Sequence, residues 1–156
     1  MPMDRPHSAA QPLTLIIEDE EVQRIMLERI VERSGWAFES YSNGLAARDR
    51  LLNQNERVPD AVILDLGLPG MNGLDILKET RPHLSQLPVI IMTAQSSIRT
   101  VVDAMRAGAS DFIIKPASAE RIRSALEATR QTASFVGEIA GVAHGNDQGL
   151  DKLISA

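Results

Sequence analysis

The stretch PDAVILDLGLPGMNG, residues 59–73, decides the fold of this chain. Its apolar run at 61–64 is typical of a strand buried on both faces, and Gly, Pro and Gly residues follow soon after Asp65. Parallel α/β sheets bind their ligands at the carboxyl ends of strands, so Asp65 lies where such a ligand would bind. An Asp at this point can also serve only to cap a turn. The rest of the chain has to distinguish these two interpretations.

Length and composition narrow the class of protein. A chain of 156 residues suits one compact domain with a single core. It contains no cysteine, which excludes a disulfide framework and a thiolate metal site. A net charge of −5 and an aromatic content of 3% argue against a nucleic-acid surface on this segment. The sequence has no signal peptide and no run of about 20 apolar residues, so we expect a cytoplasmic protein without membrane contact.

Strand and helix patterns alternate along the chain. The first predicted strand ends in an acidic cluster, and each strand is followed by a segment with helical spacing of its apolar residues. This alternation predicts a five-stranded parallel sheet covered by helices on both faces. The flavodoxin-like order 2-1-3-4-5 would place the first and third strands side by side at the topological switch point. The predicted strands are 13–17, 37–41, 61–64, 88–92 and 112–114.

The fourth helix carries the clearest apolar stripe. Ile98, Val101, Val102 and Met105 follow one another at the spacing i, i+3, i+4 and i+7, and Gly108 supplies the stop. We therefore expect this stripe to face the core.

Chemistry-bearing residues follow four of the five predicted strands. Glu18 and Asp19 follow the first strand, Asp65 the third, Thr93 the fourth and Lys115 the fifth. Clustered carboxylates repel one another unless a cation lies among them, and oxygen ligands of this kind suit Mg²⁺. A hydroxyl and an ammonium group opposite such an ion would complete a pocket for a phosphoryl group. Each residue alone has an ordinary structural explanation, but the joint pattern favours a functional site.

Residues 13–130 resemble the receiver domain of a two-component response regulator, which has the CheY-like version of the predicted fold. Four motifs carry the resemblance, in order and at the spacing of the family: LIIEDE at 15–20, LDLGLPGMNG at 64–73, IMTA at 91–94 and AGASDFIIKP at 107–116.

The resemblance implies a role for each site residue. Asp65 would be the phosphoacceptor. Asp65, Asp19 and the carbonyl of Gly67 would ligate Mg²⁺, and Glu18 would reach the ion through water or directly. The first acid of the family is usually Asp, so the longer Glu18 is a departure.

Three further roles follow from the same resemblance. Thr93 and Lys115 would hold the phosphoryl group, and Thr93 would also act in the switch. Phe112 would be the switch aromatic, at a position often held by Tyr. Ala117 follows Lys-Pro where the family often has Phe, which predicts a looser loop.

The resemblance implies a switch that accepts a phosphoryl group from a sensor histidine kinase and is not a turnover enzyme. A homodimer through the face of helix four, strand five and helix five is also implied. One alternative is a phosphohydrolase of the haloacid dehalogenase type, but its second Asp would fall at Gly67. The other alternative is a pseudo-receiver that acts only as an interaction module.

The ends of the chain have their own patterns. We expect a flexible lead-in over 1–12, the receiver over 13–131, and a linker or partial helix over 132–156 toward a missing output domain. Leu150, Leu153 and Ile154 have no sheet left to cover, and the ending resembles the entry into the ATPase domain of sigma-54-dependent (NtrC-like) activators. This resemblance implies a transcriptional regulator that contacts DNA only through that output domain.

Overall fold

The computed structural model describes the backbone of residues 11–94 and 98–143, with side chains up to residue 131. Strands and helices alternate strictly within these ranges. The strands are β1 (Leu13–Ile17), β2 (Ala37–Tyr41), β3 (Ala61–Asp65), β4 (Val89–Thr93) and β5 (Asp111–Ile114). The helices are α1 (Glu21–Arg33), α2 (Gly44–Leu52), α3 (Gly73–Thr80), α4 (Ile98–Arg106) and α5 (Ala119–Ala143).

The strands form one parallel sheet in the order β2-β1-β3-β4-β5. The predicted flavodoxin-like fold class is therefore confirmed. β1 and β3 are neighbours, with Ile17 opposite Leu64. β3 and β4 are paired so that Asp65 lies opposite Met92, and β4 and β5 so that Thr93 lies opposite Ile114. This register brings the carboxyl ends of the four strands β1, β3, β4 and β5 to one edge of the sheet.

Helices cover both faces of the sheet. The central strands β1, β3 and β4 are buried along their whole length, as their apolar sequences predict. On one face α2, α3 and α4 pack through residues such as Leu51, Ile76 and Ala104. On the other face α1 and α5 pack through residues such as Leu27 and Leu126. The two apolar layers hold the edge of the sheet that carries the site in a fixed position.

Three helices begin at a polar side chain that caps the first turn. The side chain of Asn43 accepts the N–H of Ala46 at 2.8 Å, and Asn72 accepts the N–H of Asp75 at 2.9 Å. The Ser118 hydroxyl does the same for Arg121 in the first turn of α5, at 3.0 Å. Each cap satisfies a backbone donor that the first turn of a helix leaves without a partner.

The expectation for the fourth helix was wrong about the face that it buries. Ile98 is 80% exposed, and Val102 and Met105 are also exposed. The fully buried residue of α4 is Ala104, and Ala107 packs beside it against the core. The periodicity identified the apolar face correctly, but α4 approaches the sheet through its small residues, which permit close contact. Three of the four aliphatic side chains of the stripe, those of Ile98, Val102 and Met105, are consequently left exposed, and Val101 is half-buried.

α5 continues as a helix to Ala143, so residues 132–143 of the predicted linker or partial helix are helical. The predicted tail from residue 144 and the lead-in over 1–10 lie outside the described residues. In the part of the chain that is described, no helix combines the length and the apolar character needed to cross a membrane.

Arg81 fixes the carboxyl end of α4 to the loop after α3. Its guanidinium donates to the carbonyls of Leu84, Ser85 and Leu87 in that loop at 2.8–3.1 Å. It also donates to the carbonyl of Gly108, just after α4, at 2.7 Å. Burial lowers the pKa of Arg81 from its ordinary value. Arg81 therefore acts as a clamp that holds the far end of α4 in place.

Replacing Gly108 with alanine should destabilise the domain more than the same change at Gly35. Gly108 has φ +111°, and a Cβ there would lie 2.7 Å from Nε of the clamped Arg81. Gly35 has φ +89° but open space around its Cβ position, so Gly35→Ala carries backbone strain alone. We expect a loss of about 1 to 3 kcal/mol for Gly108→Ala, the range for a strained backbone position. Urea unfolding measures both variants, and equal losses would show that the contact with Arg81 contributes nothing.

Candidate functional site

The sheet register explains why the predicted site residues meet. Glu18 follows Ile17 at the end of β1, and Asp65 ends β3, the next strand in the sheet. Thr93 ends β4 and Lys115 follows β5. Glu18, Asp65 and Thr93 are almost fully buried, although each carries a polar side chain. Buried polar groups at the ends of adjacent strands require partners, and the site supplies them.

Three carboxylates form the centre of the site. Carboxylate oxygens of Glu18, Asp19 and Asp65 lie within 4.8 Å of one another. Asp19 is exposed and the other two are buried. Three hard oxygen donors this close together suit Mg²⁺, which keeps part of its water shell when it binds protein carboxylates. The donor set therefore fits the ion that the sequence predicts.

Lys115 compensates part of this negative charge. Its Nζ lies 2.9 Å from Oε1 of Glu18 and 3.2 Å from Oδ2 of Asp65. Burial raises the pKa of Glu18, and the hydrogen bond from Lys115 opposes that shift in part. Burial also disfavours the charged form of Lys115, but the two carboxylates outweigh it and raise the pKa of the ammonium. Lys115 is therefore a positive charge held directly beside the predicted acceptor.

Backbone and side-chain donors orient the acids. Oδ1 of Asp65 accepts the N–H of Gly67 at 3.0 Å, and Oε2 of Glu18 accepts the N–H of Glu20 at 3.1 Å. Arg24, one turn into α1, donates to the carbonyls of Glu18 and Asp19 at 3.1 and 3.3 Å. Sequence reasoning missed Arg24. Its position one helical turn after the acidic cluster was the available signal, because such a side chain can reach back to the preceding loop.

A pocket of about 380 Å³ opens beside Asp65. Gly67, Thr93 and Lys115 line it, as the sequence predicts for residues around the acceptor. Thr100 of α4 lines it as well, and sequence reasoning did not include that residue. The apolar stripe predicted for α4 does not include this hydroxyl, so the spacing of apolar residues does not identify it. The pocket offers room for a tetrahedral group on Asp65, with a hydroxyl and an ammonium group in its wall.

Phe112 lies at the edge of the site region. Its side chain is partly buried and packs against the core on the α2, α3 and α4 face. Its carbonyl accepts a hydrogen bond from Arg121 of α5 at 2.9 Å, and Arg121 is also paired with Asp111 at 3.2 Å. The predicted switch role of Phe112 remains a prediction.

Comparison with known proteins identifies a family. Residues 14–127 match the response regulator receiver domain. The luminescence regulatory protein LuxO of Vibrio campbellii is 41% identical over 104 residues, which are 66% of this chain and 23% of LuxO. The regulatory protein AtoC of Escherichia coli is 34% identical over 125 residues, which are 80% of this chain and 26% of AtoC. The chain therefore spans about a quarter of the length of these relatives.

A solved structure supports the same relationship. The crystal structure of NtrX from Brucella abortus superimposes with a TM-score of 0.76 at 30% identity. The match covers 85% of this chain and 29% of the NtrX chain.

Lys115→Met should destabilise the metal-free domain because it leaves the buried Glu18 carboxylate without its cation. We expect a loss of about 3 kcal/mol, the typical cost of breaking a buried ion pair from one side. Adding Glu18→Gln to this variant should recover part of the loss, since only one of the two carboxylates that Lys115 contacts, that of Asp65, is then left without a cation. Lys78→Met, at an exposed lysine of α3, is the matched control.

Urea unfolding in the presence of a chelator measures all three variants. The assignment of Lys115 as the compensating charge is wrong if Lys115→Met is as stable as Lys78→Met.

Proposed function

The chain belongs to the response regulator receiver domain family, and we propose that it is a phosphorylation-controlled switch whose phosphoacceptor is Asp65. The observation that carries this proposal is the pair of short contacts from Lys115 Nζ to Glu18 and Asp65. Lys115 and Asp65 also line one pocket, and Thr93 lines the same pocket. In this arrangement one oxygen of Asp65 faces an ammonium group, and an open pocket lies beside the carboxylate. A carboxylate so placed can attack a phosphoryl group in line.

The residues of the chain divide the work of phosphoryl transfer. The N–H of Gly67 and the ammonium of Lys115 fix the orientation of the Asp65 carboxylate. Thr93 and Lys115 then donate to the oxygens of the transferred group and stabilise its charge. Glu18 and Asp19, with Asp65 and the carbonyl of Gly67, would hold Mg²⁺. When bound, Mg²⁺ supplies positive charge that offsets the charge building up during transfer.

The phosphodonor that we propose is a phosphohistidine of a sensor histidine kinase. Val22, Ile25 and Met26 of α1 are exposed, with Val22 at 75%. Met26 lines an apolar pocket of about 440 Å³ together with Lys115 of the site, Ala117 and other residues. An exposed apolar patch of this kind indicates a protein partner. A helical kinase surface seated there would place its phosphohistidine near Asp65.

The phosphohydrolase alternative is disfavoured by the structure around Gly67. A hydrolase of that type needs a second carboxylate two residues after the nucleophile as general acid, and glycine has no side chain for this role. The pseudo-receiver alternative is disfavoured because the acids, the hydroxyl and the lysine are all present and lie together. The family is likewise that of a phosphoacceptor switch and not of a turnover enzyme.

We also propose that the phosphorylated chain pairs with a second copy through α4, β5 and α5. Ile98, Val102 and Met105 of α4 and Ile114 of β5 are exposed, at 37–80%. Together they form an apolar surface that no described element covers. A second copy that buries the same surface would remove these side chains from water.

Asp65→Asn should abolish phosphorylation while leaving the fold intact. Asparagine cannot act as a nucleophile towards phosphorus in this way, but it retains an oxygen that can accept the N–H of Gly67. Mass spectrometry after incubation with acetyl phosphate and Mg²⁺ should show one phosphoryl group on the wild type and none on the variant. Asp75→Asn, at an exposed acid of α3, should be labelled like the wild type. Stoichiometric labelling of Asp65→Asn at another acid would contradict the assignment.

The intact protein, we propose, is a cytoplasmic transcriptional regulator in which the receiver controls a sigma-54-dependent ATPase domain and a DNA-binding domain. Two relatives carry regulatory names, LuxO and AtoC, and the chain matches only about a quarter of each. The match to NtrX likewise covers 29% of that chain. The remaining length of such proteins leaves room for output domains, which would carry the contacts to DNA.

The sequence downstream of Ala156 tests this proposal. A phosphate-binding motif, Gly-x-x-x-x-Gly-Lys followed by Ser or Thr, should occur within roughly 20 to 40 residues, because it opens the nucleotide site of an ATPase module. Reading the gene beyond this point provides the answer. A basic helix-turn-helix without a phosphate loop would refute the ATPase proposal and leave the receiver assignment unaffected.

A further inference from the structure

Thr100 is the residue of α4 that lines the acceptor pocket, and the assigned roles do not use it. The other lining residues come from the carboxyl ends of β3, β4 and β5 and the segments that follow them. Thr100 lies four residues before Ala104, so both lie on the same face of α4. Ala104 is fully buried against the core, and that common face is therefore directed toward the sheet. The Thr100 side chain is half-buried and lies on this face, in the wall of the pocket.

The attachment of α4 differs between its two ends. Arg81 clamps the chain at Gly108, directly beyond the carboxyl end of the helix, through a hydrogen bond of 2.7 Å. Ala104 is the fully buried residue of the whole helix, while Ile98 in the first turn is 80% exposed. Few buried apolar contacts mark an element of low local stability. A group bound near the amino end of α4 can therefore change the position of that end while Arg81 holds the other.

A phosphoryl group on Asp65 would occupy the pocket that Thr100 lines. Its peripheral oxygens are strong acceptors, and Thr93 and Lys115 approach them from β4 and from the end of β5. These two residues lie at the ends of strands that are packed between the two apolar layers. Thr100 belongs to α4, in which Ala104 is the buried residue. A hydroxyl there can donate to the same oxygens, directly or through one water, since the pocket has room for both.

We propose that Thr100 couples α4 to the state of the acceptor: its hydroxyl binds the phosphoryl group on Asp65 and thereby orders the amino-terminal half of α4. The inference rests on the proposed function of Asp65. It adds a second hydroxyl ligand, from a helix, to the ligands that the strands provide. The exposed apolar surface of Ile98, Val102 and Met105 lies on the same helix, so ordering α4 would also fix the surface proposed for dimer contact.

Hydrogen exchange of α4 amides with and without beryllofluoride, a stable mimic of the phosphoryl group, tests the proposal. In the presence of Mg²⁺ and beryllofluoride, wild-type amides from Val101 to Arg106 should exchange about tenfold more slowly, the effect of one hydrogen bond to a charged group. Thr100→Val, which has the same shape without a donor, should lose this slowing. Thr100→Ser should retain it, because serine keeps the hydroxyl.

A buried threonine of another helix provides the control for a general loss of stability. Thr129 of α5 is buried, and its hydroxyl donates to the carbonyl of Leu126 at 2.6 Å, on the opposite face of the sheet from α4. Thr129→Val should respond to beryllofluoride like the wild type. A Thr100→Val variant that responds like the wild type overturns the coupling role, and so does a Thr129→Val variant that loses the response. A wild type whose α4 amides do not slow also overturns the coupling role, whereas an Asp65→Asn variant that still responds shows that the proposed acceptor is wrong instead.

Discussion

The main constraint on this structure is that two buried carboxylates lie close together. Like charges in a poorly hydrated site destabilise the fold unless a cation lies between them. Lys115 meets this requirement by contacting both Glu18 and Asp65 within 3.2 Å. It neutralises one of the negative charges, and Asp19 adds a third from the exposed side. The site thus retains an excess of negative charge, which favours a divalent cation. Under the proposed function, the same arrangement would attract that cation and support phosphoryl transfer.

The parallel sheet holds these charged side chains together at little cost in stability. Its central strands are apolar and buried along their whole length, and they end at one edge of the sheet. Polar residues at that edge, such as Asp65 and Thr93, are held by strands packed on both faces. The helix that we propose responds to phosphorylation, α4, lies outside these strands. α4 is attached mainly through Ala104 and the clamp at Gly108, so it can respond to the site without disturbing the core.

The sequence predicted the order of strands and helices more fully than the packing around the site. Apolar strand runs gave the order of the strands and their ends to within a few residues, and the spacing of apolar residues placed helices between them, because these signals are local. The orientation of α4 was wrong, since its stripe of Ile98 and Met105 identifies an apolar face without identifying what covers it. Thr100 was missed for a related reason. Its place in the acceptor pocket depends on how the helix packs against the sheet, which no local pattern specifies.

Thermal unfolding measured at increasing Mg²⁺ concentrations is the most direct test of the charge balance in the site. The wild type should gain stability with Mg²⁺, about 2.7 kcal/mol at a concentration one hundred times the dissociation constant. Asp19→Asn should lose most of this gain, because it removes one of the three carboxylates. Glu21→Gln, at an exposed acid two residues away, should keep it. A wild type that Mg²⁺ does not stabilise, or an Asp19→Asn variant that gains as much as the wild type, would contradict the account.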